Sequence, residues 1–135
     1  MPSGISLLCE PGEKIPRRAL LKRLAERVAR GEKLRGGVNI VFCPDAHVRS
    51  LNRKYRGLDR VTDVLSFGWE EPDFAGEIFI ANAQAKRQCA RFNNSYFNEL
   101  RRLIVHGMLH LSGYDHVKAP DRKIMRKKED FYLFS

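Results

Sequence analysis

His106, His110 and His116 fall in one short stretch, V-H-G-M-L-H-L-S-G-Y-D-H from Val105 onward, and no other part of the chain has so much the character of a chemical site. The first two are four apart, which on an α-helix sets their Cβ atoms about 5–6 Å from each other on one face. Both imidazoles can then turn toward one ion. His116 follows beyond Ser112-Gly113, where a glycine in the left-handed conformation can end the helix and bring the chain back over the same face. Three neutral imidazoles, each about 2.0–2.1 Å from a zinc ion, fill three corners of a tetrahedron and leave the fourth for water. That open corner is the pattern of a catalytic site with one Zn2+ per chain, although three imidazoles accept nickel, copper or cobalt as well. Asp115 either fixes the tautomer of a ligating histidine or serves as a turn residue. The fourth histidine, His47, has no metal-spaced partner and reads as a surface residue.

The spacing H-x-x-x-H-x-x-x-x-x-H, with Gly113 three residues after His110, is that of the metzincin proteases, H-E-x-x-H-x-x-G-x-x-H. Where those proteases carry a glutamate base beside the first ligand, this chain has Gly107. A metalloprotease reading therefore needs a base from elsewhere, and the sequence nominates none for it. Metal alone lowers the pKa of water to about 7, which makes a glycine tolerable at that position.

The elements that must position these residues follow from periodicity. Ile5 to Leu8 is a short strand, and Pro16 opens a helix with Leu20, Leu21, Leu24 and Val28 on one face and Gly31 as its stop. The opposite face, Arg17, Arg18, Lys22, Arg23, Arg27 and Arg30, reads as a solvated charged surface. V-N-I-V-F-C from Val38 is a strand. Pro44-Asp45 begins a helix with Asp45 as N-cap, Val48, Leu51 and Tyr55 as its apolar side, and Arg56-Gly57 as its close. T-D-V-L-S-F from Thr62 is a strand leading into an irregular segment, G-W-E-E-P-D-F-A, and Glu77 to Ala81 is the next strand. Asn82 caps a helix to about Phe92, Asn93-Asn94-Ser95 breaks and recaps the chain, and Leu100, Leu103, Ile104, Met108 and Leu111 continue in the helix that carries the first two histidines. Pro120-Asp121 starts the last helix.

With 43% hydrophobic and 30% charged residues, the chain of 135 residues is composed like a globular domain large enough for one core. Its net charge of +9 fits a polyanionic partner such as RNA, DNA or an anionic membrane. Cys9, Cys43 and Cys89 are odd in number and lack any C-x-x-C pair, so they read as thiols of a reducing compartment. The first residues, M-P-S-G-I-S-L-L-C-E, have no basic segment followed by a long apolar run, and no run is long enough to span a bilayer. The expectation is a cytoplasmic protein without a membrane partner.

H-G-M-L-H-L-S-G-Y-D-H closely resembles the H-G-x-L-H-L-x-G-Y-D-H signature of the YbeY proteins, and L-N-R-K-Y-R-G-L-D-R-V-T-D-V-L-S-F, from Leu51 to Phe67, resembles that family's other block. The likeness runs roughly from Val38 to His116. It implies an α+β fold, one domain over residues 1–135, with a small mixed β-sheet packed with helices and related to the zincins. It further implies a zinc-dependent, single-strand-specific endoribonuclease acting in 16S rRNA 3′-end maturation and ribosome quality control. His106, His110 and His116 would be the metal ligands, with His106 and Arg56 in the catalytic set, Asp115 a further candidate, and Arg56 the group that engages RNA phosphate. The implied partners are ribosomal RNA, the small ribosomal subunit, other rRNA-processing nucleases and a ribosome-assembly GTPase. A non-catalytic, zinc-stabilised RNA-binding assembly factor is the alternative. Arg56 can instead be a charge facing its helix's dipole, and Asp63 and Glu77 are conceivable bases. The chain departs from the family pattern at Gly68, Glu77 and the short segment from Gly68 to Ala75.

Overall fold

A computed structural model describes residues 4–91, 93–115 and 117–134. The elements run β1 (Ile5–Cys9), α1 (Arg18–Gly31), β2 (Gly37–Cys43), α2 (Asp45–Arg56), β3 (Val64–Glu71), β4 (Phe74–Ala81), α3 (Asn82–Arg91), α4 (Tyr96–Leu111) and α5 (Ala119–Phe134). The strands form one mixed sheet in the order β1-β2-β4-β3. β1, β2 and β4 are parallel, and β3 pairs antiparallel with β4 along the edge. This is the expected α+β architecture.

Because side chains alternate along a strand, each strand sorts its residues between two faces. Ile5 and Leu7, Val38, Ile40 and Phe42, and Ile78 and Ile80 meet Leu21, Leu24 and Val28 of α1 and Leu100, Leu103, Ile104 and Met108 of α4 in the main core. Each large apolar side chain so buried contributes about 1.5–3 kcal/mol. The other face carries Cys43, Leu65 and Ala81, covered by Val48 of α2 with Leu51, Phe67 and Phe79 packed alongside.

The local details depart from expectation in physically simple ways. Pro44, extended, is the N-cap of α2 and Asp45 is its first helical residue, with no side-chain cap bond. Gly57 closes α2 at φ 71°, a left-handed turn suited to glycine. Tyr55 is 57% exposed, because buried Asn52 takes the inward position and donates to the Arg60 carbonyl at 2.9 Å. Leu20 is likewise exposed. The segment expected to be irregular completes a hairpin, β3 running on to Glu71 and β4 starting at Phe74. Asn82 is buried, with its side chain bonded to the Lys14 carbonyl and to the Tyr96 hydroxyl. Ser95 caps α4 as expected, accepting from the Asn98 N–H at 3.0 Å. On α1, Arg18 donates to the Leu7 carbonyl at 2.6 Å and Arg17 lies over the Phe97 ring, so part of its basic face is tied into the fold. Among the described residues, no helix is long and apolar enough to cross a membrane.

Candidate metal centre

α4 is unusually apolar on the side it turns to the sheet, and at Gly107 it meets that sheet at close quarters. A Cβ there would fall 2.9 Å from Ile78 Cγ2 and 3.1 Å from the Ser66 hydroxyl oxygen. Ser66 in turn donates its hydroxyl to the Gly107 carbonyl at 3.3 Å. Packing therefore favours glycine here, since any side chain at this position would press into Ile78 and the Ser66 hydroxyl.

His106 and His110, half-buried on the same helix, line a cavity of about 520 Å³, with Arg56, Asp63, Ser66, Gly68 and Asp115 also on its wall. Their Nε2 atoms face each other at 3.1 Å. The Nδ1 atom of His106 lies 2.7 Å from Oε2 of Glu129 on α5. α4 ends at Leu111, and Gly113 takes φ 102°, the left-handed conformation expected of this glycine. His116, the third expected ligand, lies outside the described residues.

Arg56 reaches this cavity from the opposite face of the sheet. It is the last residue of α2; its guanidinium sits 4.9 Å over the Phe67 ring and donates to the Ser66 carbonyl at 2.8 Å. Phe67 itself stands between Tyr55 and Phe79 in edge-to-face contacts at 5.3 and 5.9 Å. The planar cation is thus held by stacking and one hydrogen bond across the edge strand, a reach that a helix-end charge alone does not need.

The acidic candidates divide sharply. Asp63 lines the cavity, yet its Oδ2 accepts from Gln88 at 2.9 Å and from Arg102 at 3.4 Å. Those same donors hold Glu99, which is 1% exposed. Burial works to raise the Glu99 carboxyl, and hydrogen bonds from Arg102, Gln88 and Asn94 outweigh it, leaving it below its ordinary range. Asp63 therefore belongs to a structural network joining β3, α3 and α4. Glu77 alternates with Ile78 and lies on the α2 face, beside Leu51, Tyr55 and Phe79, and is absent from the walls of the histidine cavity. Asp115 is on the cavity wall, and its Oδ1 accepts from the Val117 N–H at 3.0 Å, the turn role.

Two groups escaped the sequence reading. Glu129 shares a face of α5 with Met125 and Tyr132, at i, i+4 and i+7, both of which are buried; an acid on that apolar stripe was the signal. Glu32, just past α1, has a side chain only 7% exposed and accepts from Tyr114 at 2.8 Å, Lys128 at 3.2 Å and the Tyr132 hydroxyl. It ties the end of α1 to α5 and to the loop that follows His110.

His47 is not the isolated surface residue expected. Its Nδ1 pairs with Glu10, its ring meets Phe79 edge-on, and Cys43 lies alongside. Glu10, Cys43 and His47 offer ligand atoms within 4.8 Å of one another, so they could hold a metal ion. Burial, with the nearby charges of Glu10, Glu13 and Asp45, pushes the Cys43 thiol up to about 12, and its Sγ is 3.6 Å from the Ile80 carbonyl. A metal there must displace a firmly held thiol proton. The imidazole pair of α4 carries no such cost.

Comparison with known proteins bears on the same residues. The model of a family described as Endoribonuclease YbeY matches residues 13–135. An Endoribonuclease YbeY of Pelotomaculum thermopropionicum is 43% identical over 125 residues, covering 84% of this chain and 82% of the relative. One from Desulforamulus reducens is 45% identical over 106 residues, covering 71% and 69%. The solution structure of a Thermotoga maritima protein superposes with a TM-score of 0.69 at 33% identity, covering 96% of this chain and 86% of the other.

Proposed function

The chain belongs to the endoribonuclease YbeY family, and from that premise we propose that it is a zinc-dependent hydrolase of RNA phosphodiester bonds, its three ligands being His106, His110 and His116. The observation that carries the metal is the 3.1 Å separation of the His106 and His110 Nε2 atoms in a cavity that Arg56 also lines. Two nitrogens on one tetrahedral zinc stand about 3.3 Å apart, so the pair fits that ion with little movement. Zinc, when bound, supplies Lewis acidity toward a phosphoryl oxygen and lowers the pKa of water to about 7.

The chain's own groups supply binding and orientation. Arg56 presents a planar fork whose geometry matches phosphate, and its stack on Phe67 removes the rotamer freedom that a lone arginine would lose on binding. Gly107 brings α4 close enough to β3 that the histidines and the arginine share one cavity. The net charge of +9 draws a polyanion to it at a rate and affinity that fall with salt.

The finer reading is a single-strand-specific endoribonuclease of the cytoplasm. It acts on ribosomal RNA at the 3′ end of the 16S species and in ribosome quality control, in company with the small subunit, other processing nucleases and an assembly GTPase. This rests on the family resemblance of the histidine and Arg56 blocks, and one domain over residues 1–135 carries it. The decisive experiment pairs metal analysis of purified protein with cleavage of a labelled 16S 3′-end precursor by wild type, His110→Ala and Arg56→Ala. Zinc near one per chain, with cleavage lost in folded variants, is the expected result. Full cleavage by metal-free protein overturns it, and retained RNA binding without any cleavage supports a non-catalytic assembly factor instead.

A further inference from the structure

The carboxylate that pairs with His106 is far from the motif in sequence. Glu129 Oε2 lies 2.7 Å from Nδ1 of His106, and the two side chains are 19% and 20% exposed. An ionised carboxylate only accepts, so Nδ1 carries the proton of this bond, and a neutral His106 then holds its lone pair on Nε2. Nε2 is the nitrogen that faces His110. We infer that Glu129 is a positioning residue of the metal centre, fixing His106 in the tautomer whose Nε2 can ligate a cation. The inference rests on the reading that His106 and His110 hold a metal.

The contact is built into the fold from both sides. Met125 and Tyr132, one helical turn before and after Glu129, are 1% and 2% exposed and set the rotation of α5. Lys128 and Tyr132 meet Glu32, and Arg101 of α4 donates to the Leu133 carbonyl at 3.0 Å, which fixes α5 along its length. The carboxylate therefore arrives with little freedom left to lose. An unsupported imidazole distributes its proton over both nitrogens and must surrender the Nε2–H form before it binds metal. A fixed acceptor at Nδ1 removes that step and raises the basicity of the ligating nitrogen; such partners are worth about 10–100-fold in metal affinity.

Nitrogen-edited NMR of the metal-free protein, above neutral pH, reads the His106 tautomer directly, and zinc titration reads the affinity. Wild type is expected to hold the proton on Nδ1. Glu129→Leu is expected to populate the Nε2–H form and to bind zinc about 10–100-fold more weakly while melting cooperatively. Glu129→Gln, which keeps an acceptor oxygen at the same reach, is expected to restore the Nδ1–H form. A Leu variant with wild-type tautomer and zinc affinity overturns the inference. Should that variant not fold, a wild-type His106 protonated on Nε2 overturns it equally. A wild type that takes up no zinc overturns the metal reading, while the tautomer still decides the Glu129 contact.

Discussion

Arg56 donates to the main-chain carbonyl of Ser66 at 2.8 Å, and through that bond the last residue of α2 is fastened to the strand that borders the histidine cavity. Ser66 joins the two halves of the candidate site, since its hydroxyl holds the Gly107 carbonyl of α4. Arg56 and the histidine-bearing helix are thereby presented on opposite sides of one residue.

Arg56→Ala should lower kcat/KM for RNA cleavage by about 10²–10³-fold, the cost of removing one preorganised charge-stabilising donor. Arg56 is exposed, so the melting temperature should move little. Arg56→Lys keeps the charge and loses the fork and the stack, and should recover only a minor part of the rate. Steady-state kinetics beside thermal melts separate the two effects, and a Lys variant of wild-type rate would remove the geometric role.

Gly107→Ala gains about 1 kcal/mol of helix propensity and must overpack against fully buried Ile78, at about 1–3 kcal/mol. Net destabilisation is expected by denaturant titration. Combined with Ile78→Ala, which removes the obstructing methyls, the substitution should cost at least about 0.5 kcal/mol less than alone. An additive cycle would show that the two residues do not compete for space.

Glu32 gives stability a pH dependence. Burial works to raise its carboxyl, and the hydroxyls of Tyr132 and Tyr114 with the Lys128 ammonium outweigh it, so the folded value lies below the ordinary 4.5. A depressed folded pKa means stability that is present above the unfolded value and is lost as pH falls through the folded one. Against Glu32→Gln, wild type should therefore hold its full advantage near neutrality and lose it progressively below about 4.5. Urea titrations of both proteins from neutral to acid pH test this, and an advantage that grows on acidification contradicts it.

Zinc at about 100 times its dissociation constant should raise unfolding free energy by about 2.7 kcal/mol, because the ligands come together only in the folded chain. Chelator should remove that increment from wild type and leave His110→Ala unchanged. An equal response from the variant points to another site, with Glu10, Cys43 and His47 the first group to substitute.

How much was legible in the chain depended on the range of the interaction. The i, i+4 histidines and the glycine turn after them are local, and helix periodicity alone placed them. The hairpin over Phe67–Phe74 was not legible, because Gly68, Pro72 and Asp73 mask two strands whose pairing is fixed by β4 lying between β2 and β3. Asp63 and Glu77 are alike as acids in the sequence; Asp63, just before β3, joins the network of Gln88, Glu99 and Arg102, while Glu77, alternating with Ile78 in β4, lies on the far face. Tyr55 stands in apolar spacing on α2, yet polar Asn52 takes the buried position by satisfying a loop carbonyl. Glu129 was missed for the plainest reason: 23 residues separate it from His106, and only the docking of α5 unites them.

One substitution, glycine to glutamate at position 107, would make this helix read H-E-x-x-H. The route from nuclease to protease therefore looks a single step long on paper. Ile78 and the Ser66 hydroxyl occupy the space that the first carbon of such a side chain would need. Both obstructing groups are side chains, so Ile78 and Ser66 would have to be cut back or turned aside before that residue could be admitted. The distance between the two sequences is therefore more than one letter, because the neighbours of position 107 must change together with it.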